Sequence, residues 1–147
     1  MQIGFPNEGS VTELHVTIIP NQERSFYRNS KVTFSYNASE KYPIEPPEVK
    51  CLNRILHPNI DKNGNVCLNL LRGGWKPIYE LHVVIIGLLH LMESIKASDL
   101  EEPLDRDAAA LMAKDIVEYE KVVQETIRGK SYFNRQFDNI YFIPKKK

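Results

Sequence analysis

The spacing of apolar residues changes period once along this chain, and a proline cluster marks the change. In "VTELHVTIIP", Leu14, Val16 and Ile18 recur at every second position, and "KVTFSYN" repeats the pattern with Val32, Phe34 and Tyr36. Both runs are rich in β-branched and aromatic residues, and alternation puts such residues on one face of a half-buried strand. "MQIGFP" and "EVKCL" are shorter strand candidates, and turn clusters such as "PNQERS" separate the runs. Connections this short favour an antiparallel meander. "YPIEPP" then places three prolines within five residues, at 43, 46 and 47. Proline removes backbone donors and holds its neighbours extended, so strand pairing stops there.

Beyond Trp75 the period becomes helical. "YELHVVIIGLLHLM" sets Leu81, Val84 or Ile85, Leu88 and Leu91 or Met92 on one stripe, with Gly87 suited to close packing. "DRDAAALMAKD" offers Asp105 as an N-cap, and "DIVEYEKVVQETIRG" places Ile116, Val123 and Ile127 on one stripe before Gly129 ends it. Strands first and helices after predict an α+β fold, with helices on one face of a sheet, in a single domain spanning residues 1–147. A chain of that size buries about two-thirds of its unfolded surface, so a core forms without staples.

Charge narrows the function. Nineteen basic residues balance nineteen acidic ones, so no global field draws the chain to nucleic acid or anionic lipid, and "PKKK" reads as a solvated tail. The apolar run "HVVIIGLLHLM" is far shorter than the roughly 20 residues of a membrane span. The start of the chain does not read as a signal peptide, so a reducing intracellular setting is expected, and with it free thiols at Cys51 and Cys67. His15, His57, His82 and His90 show no paired spacing with those cysteines, although His82 and His90 can share a helix face; no metal is expected.

Between the prolines and Trp75 lies a stretch of weak periodicity rich in Asn, Gly and Pro, containing "HPNIDKNGNVCLNLL". Long irregular segments in compact domains are commonly functional. A thiol of ordinary pKa, about 8.5, is only about 7% thiolate near pH 7.4, yet it is the strongest nucleophile among ordinary side chains. It can carry an acyl group as a thioester. Attack on that thioester creates an oxyanion, and one side-chain amide donor accelerates such a step about a hundredfold to a thousandfold. Asn59, held by Pro58, is the candidate donor for Cys67. The residues alone leave alternatives open: Asn59 as a turn cap, Cys67 as a core hydrophobe, His57 as a hydrogen-bonded turn residue.

Taken together, "YPIEPP", "HPNI", "NGNVCLNLL" and "WKP", in this order and spacing, resemble the ubiquitin-conjugating enzymes. The resemblance implies that family's fold, with a four-stranded meander and helices on one face. It also implies transthiolation: Cys67 accepts a modifier's C-terminal carboxyl from an activating enzyme and passes it to a substrate lysine. ATP is used by that upstream enzyme, and no cofactor is expected here. Asn59 matches the residue linked to oxyanion stabilisation or to ordering of the active-site loop, His57 a structural histidine, and Glu102 the acid facing the incoming amine. Pro58, Leu68 and Trp75 fall among the supports of the site. Cys51, Pro77 and Ile78 match the two loops that dock ligases, and ubiquitin-specific members often carry Phe where Cys51 stands. With "VCLNLLR" and "EPLDRDAA", this favours the branch that conjugates the Nedd or Rub modifier to cullins with a RING ligase. Ubiquitin itself, or a non-catalytic modifier-binding variant, is the alternative.

Three departures set further expectations. The family's first helix, which helps bind the activating enzyme, normally precedes the sheet, whereas this sequence opens on a strand pattern, so loading is expected to be slow. "MESIKASDLEEP" is about four residues longer than the family loop by the same resemblance and lacks its Pro-Asn-Pro, which threatens the placement of Glu102. Leu56 replaces an aromatic that often precedes the His-Pro-Asn step. A monomer in cytoplasm or nucleus is expected.

Overall fold

The computed structural model describes residues 2–4, 13–95 and 102–145. Four strands, β1 (Gln2–Gly4), β2 (Glu13–Ile18), β3 (Val32–Asn37) and β4 (Glu48–Cys51), form one antiparallel sheet in sequential order, the expected meander. Its register follows the alternation: Val16 opposes Phe34, Ile18 opposes Val32, and Phe34 also opposes Cys51. Those side chains all lie within one buried face. Each such apolar side chain removed from water contributes about 1.5–3 kcal/mol, and a one-residue slip would turn the whole set to solvent.

Helix α1 (Leu81–Glu93) lies against β2, and α2 (Arg106–Lys114) packs on α3 (Ile116–Ile127). In α1 the either-or positions are all occupied: Val84, Ile85, Leu88, Leu91 and Met92 are buried together. Asp105 caps α2 by accepting from the Ala108 amide, and Gly129 turns out of α3 at φ +88°. One helical stripe differs from expectation. Ile116 is 48% exposed, because Asp115 caps α3 and leaves Ile116 in an unburied first turn; Tyr119, Val122, Val123, Thr126 and Ile127 form the buried face.

Prolines and polar residues disguise how deeply the middle segment is buried. Ile55, Leu56, His57, Asn59 and Ile60 are all buried, so this segment is core lining rather than surface loop. The C-terminal segment closes over the same region: the Lys31 amide donates to the Ile140 carbonyl, and the Asp138 amide to the Arg54 carbonyl.

Candidate active site

Two hydrogen bonds fix the His57 ring within its turn. The Asn59 amide donates to His57 Nδ1 at 3.0 Å, and His57 Nε2 lies 3.0 Å from the Leu91 carbonyl. A carbonyl only accepts, so Nε2 carries the proton and Nδ1 the lone pair. Both nitrogens are engaged, and the fully buried ring stacks on Tyr27 at 5.2 Å. His57 therefore clasps the turn to α1 and does not serve as a base.

The next carbonyls carry the turn toward the thiol. Pro58 O accepts from the Leu104 and Asp105 amides at 2.9 and 3.0 Å, and Asn59 O accepts from the Cys67 amide at 2.8 Å. Between Asn59 and Cys67 the chain reverses on Asp61. One oxygen of that carboxylate accepts from the Asn63 and Asn65 amides, and the other from the Asn65 side chain. Partial burial pushes the Asp61 pKa up, but these hydrogen bonds outweigh it and hold the carboxyl below its ordinary value. Gly64 sits at φ +82°, and a Cβ there would lie 2.3 Å from the Cys51 carbonyl oxygen, so only glycine fits.

The result is a cavity of about 160 Å³ lined by Asn59, Cys67, Leu68, Asn69, His90, Leu91 and Ser94. Cys67 is a free, half-buried thiol, whereas Asn59 is only 6% exposed. Helix α1 supplies the far wall. Gly87 lets it approach: a Cβ there would lie 3.2 and 3.3 Å from Leu68 and Leu70 methyl carbons. A thiol reachable from solvent, with an amide side chain in the same cavity, suits acyl carriage and transfer, and His57 is held away from base duty by its two hydrogen bonds.

Comparisons with known proteins agree with this geometry. Residues 2–127 match the family model described as "Ubiquitin-conjugating enzyme". The chain belongs to the ubiquitin-conjugating enzyme family. It is 39% identical over 138 residues to the NEDD8-conjugating enzyme UBC12 of Yarrowia lipolytica, covering 94% of this chain and 74% of that one. It is 44% identical over 132 residues to the UBC12 of Eremothecium gossypii, covering 90% and 69%. The solved structure of Saccharomyces cerevisiae Ubc12 superposes with a TM-score of 0.80 at 40% identity, covering 87% of this chain and 66% of that one.

Within this conjugating-enzyme fold the other expected residues separate into groups. Glu102 is exposed, and the chain just after it is tied to Pro58 through Leu104 and Asp105. Much of the extended loop before it, residues 96–101, lies outside the described residues. Trp75 does not line the cavity; its indole N–H donates to the Pro43 carbonyl at 2.9 Å and its ring meets Tyr79 edge-on. That bond ties the 42–47 loop to the segment bearing Pro77 and Ile78, both exposed.

Cys51 requires a correction. Strand parity turns its side chain into the core at 5% exposure, where burial pushes the thiol up to about 12, so it cannot meet a ligase. Ile44, on the loop that Trp75 holds, is 75% exposed, and Ile78 is 82% exposed. The cue was available in the sequence, since Ile44 sits in a proline-rich turn that cannot enter the sheet.

Sequence reasoning also missed the support beneath the turn. Tyr27 Oη donates to the Leu56 carbonyl at 2.7 Å and lies 2.6 Å from Tyr119 Oη, with both rings buried. Burial and the neighbouring phenol raise the Tyr27 pKa well above its ordinary value. Tyr27 thus supports the backbone at Leu56 from elsewhere in the chain. No local pattern marks a pair 92 residues apart.

Proposed function

We propose that this chain is a NEDD8-conjugating transferase that carries the modifier on Cys67 and delivers it to lysine. The reading is carried by Cys67 and Asn59 sharing one solvent-reachable cavity, joined through the 2.8 Å amide-to-carbonyl bond. In loading, the Cys67 thiolate attacks the modifier's thioester on the activating enzyme and that enzyme's thiol departs. In discharge, a lysine amine attacks the thioester carbonyl. The tetrahedral oxyanion collapses to an isopeptide, expelling the Cys67 thiolate, and the amine's proton passes to a base. Asn59 stabilises the oxyanion, and Glu102 is the carboxylate proposed to orient or deprotonate the amine. Ile44, Pro77 and Ile78 form the proposed docking end for a RING-type ligase, with cullin lysines as targets. The proposal extends to a monomer needing no cofactor of its own, ATP being spent by the activating enzyme, and acting in cytoplasm or nucleus.

The test is charging with ATP, modifier and either the NEDD8- or the ubiquitin-activating enzyme, resolved on gels with and without reductant. A reducible adduct with NEDD8, lost in Cys67→Ala, is expected. An adduct with ubiquitin alone would reassign the modifier, and no adduct with either would refute the reading. Asn59→Ala should still charge but discharge to free lysine about a hundredfold to a thousandfold more slowly.

A further inference from the structure

One ion pair outside the cavity reaches the catalytic turn by a continuous chain of short contacts. Arg135 Nη1 meets Asp105 Oδ2 at 2.6 Å, with side-chain exposures of 11% and 4%. The other Asp105 oxygen accepts from the Ala108 amide at 3.1 Å, so both oxygens are committed. The Asp105 main-chain amide, beside that of Leu104, holds the Pro58 carbonyl immediately before Asn59. Arg135 is itself fixed by a turn in which it exchanges backbone hydrogen bonds with Tyr132, and its guanidinium lies 4.9 Å over the buried Phe137 ring. Asp138 then grips Arg54 in bidentate fashion, at 2.7 Å to its amide and 2.9 Å to its guanidinium. Residues 54 and 58, on either side of the buried turn, thus both answer to the 132–138 segment. That segment lies beyond residue 127, where the family match ends.

We propose that the Arg135–Asp105 pair is a positioning clamp for lysine discharge, setting the Pro58–Asn59 turn from the C-terminal segment that follows α3. The inference rests on the conjugating-enzyme reading and on Asn59 as the oxyanion donor. Without Arg135 the Asp105 carboxylate is a buried charge without its cation and must rotate toward water. Its amide moves with it, Pro58 follows, and Asn59 leaves the position the oxyanion requires. Displacements of about 1 Å at a catalytic group cost up to about a hundredfold in rate. Arg135 touches neither thiol nor amine, so loading is spared.

The experiment is single-turnover discharge of the NEDD8-charged full chain to free lysine, titrated with lysine below the unfolding midpoint of each variant. Arg135→Ala should charge to the same end point but discharge about tenfold more slowly at saturating lysine, with the half-saturating lysine concentration unchanged. Arg135→Lys, which restores a cation, should recover to within about threefold. In an Asn59→Ala background, Arg135→Ala should slow discharge less than about twofold, since the donor it positions is gone. Arg28→Ala breaks a different ion pair, to Glu120, and should leave discharge unchanged. Should Arg135→Ala not fold, Arg135→Gln is measured in its place against the same expectations. Discharge at the unmodified rate, equal slowing by Arg28→Ala, or an undiminished effect in the Asn59→Ala background would overturn the clamp. Failure of the unmodified chain to charge would overturn the functional reading, and normal discharge by Asn59→Ala would overturn the donor.

Discussion

Replacing Tyr27 by Phe removes one oxygen from beneath the catalytic turn and leaves the ring on His57. The Leu56 carbonyl accepts the Tyr27 proton at 2.7 Å, so at the 2.6 Å phenol contact Tyr119 is the donor and Tyr27 the acceptor. Tyr27→Phe therefore breaks two hydrogen bonds and leaves Leu56 O with only the 3.5 Å approach of Tyr119. Each lost bond costs about 1 kcal/mol, and a buried group left poorly paired adds to that, so a destabilisation of about 2–3 kcal/mol follows. Tyr119→Phe leaves the Tyr27-to-Leu56 bond intact and should cost about 1 kcal/mol. For a chain of this size, about 1 kcal/mol lowers Tm by about 2–4 °C, which separates the two variants. The assay is urea unfolding of both single variants and the double, which closes a cycle. Adding Tyr119→Phe to Tyr27→Phe should cost less than it does alone, because its acceptor is already gone. Equal single effects, or strict additivity, would refute the assigned donor order.

Other consequences can be checked directly. Iodoacetamide on the native protein at about pH 8 should label Cys67 and spare Cys51, whose buried thiol stays protonated; peptide mass mapping decides, and early labelling of Cys51 would contradict its burial. Cys51 is pushed from 9.0 up to about 12 on folding, so its stabilising effect is present below about pH 9 and is lost as pH rises toward about 12. Tyr27, Tyr36 and Tyr119 are raised as well, but from 10.0, so their contribution fades at higher pH. Unfolding free energy should therefore fall above about pH 9, and Cys51→Ala should flatten the first part of that decline. Ile44→Ala and Ile78→Ala remove apolar surface exposed at 75% and 82%, so they should leave Tm within about 1 °C and discharge to free lysine unchanged while weakening ligase-stimulated transfer. Equal stimulation of both variants would remove that end from ligase docking.

Local chemistry determined much of this protein from sequence alone. Alternation at Leu14, Val16 and Ile18 and at Val32, Phe34 and Tyr36 carried which face of each strand is buried, because a half-buried strand leaves only one face for apolar groups, and the short connections carried the meander. The motifs around "YPIEPP", "HPNI" and Cys67 carried the family and the thiol, because turn residues, proline and a nucleophile are legible one at a time. What only the tertiary structure decided are relations between distant residues. Cys51 faces the core and Ile44 the solvent, Tyr27 and Tyr119 meet under Leu56, and Arg135 reaches Asp105 to hold Pro58. Burial and pairing of polar groups depend on what the rest of the chain brings alongside, and sequence spacing carries no record of that. Asn59 shows the division most plainly: the local turn on Asp61 brings it beside Cys67, while its depth comes from segments folded over it.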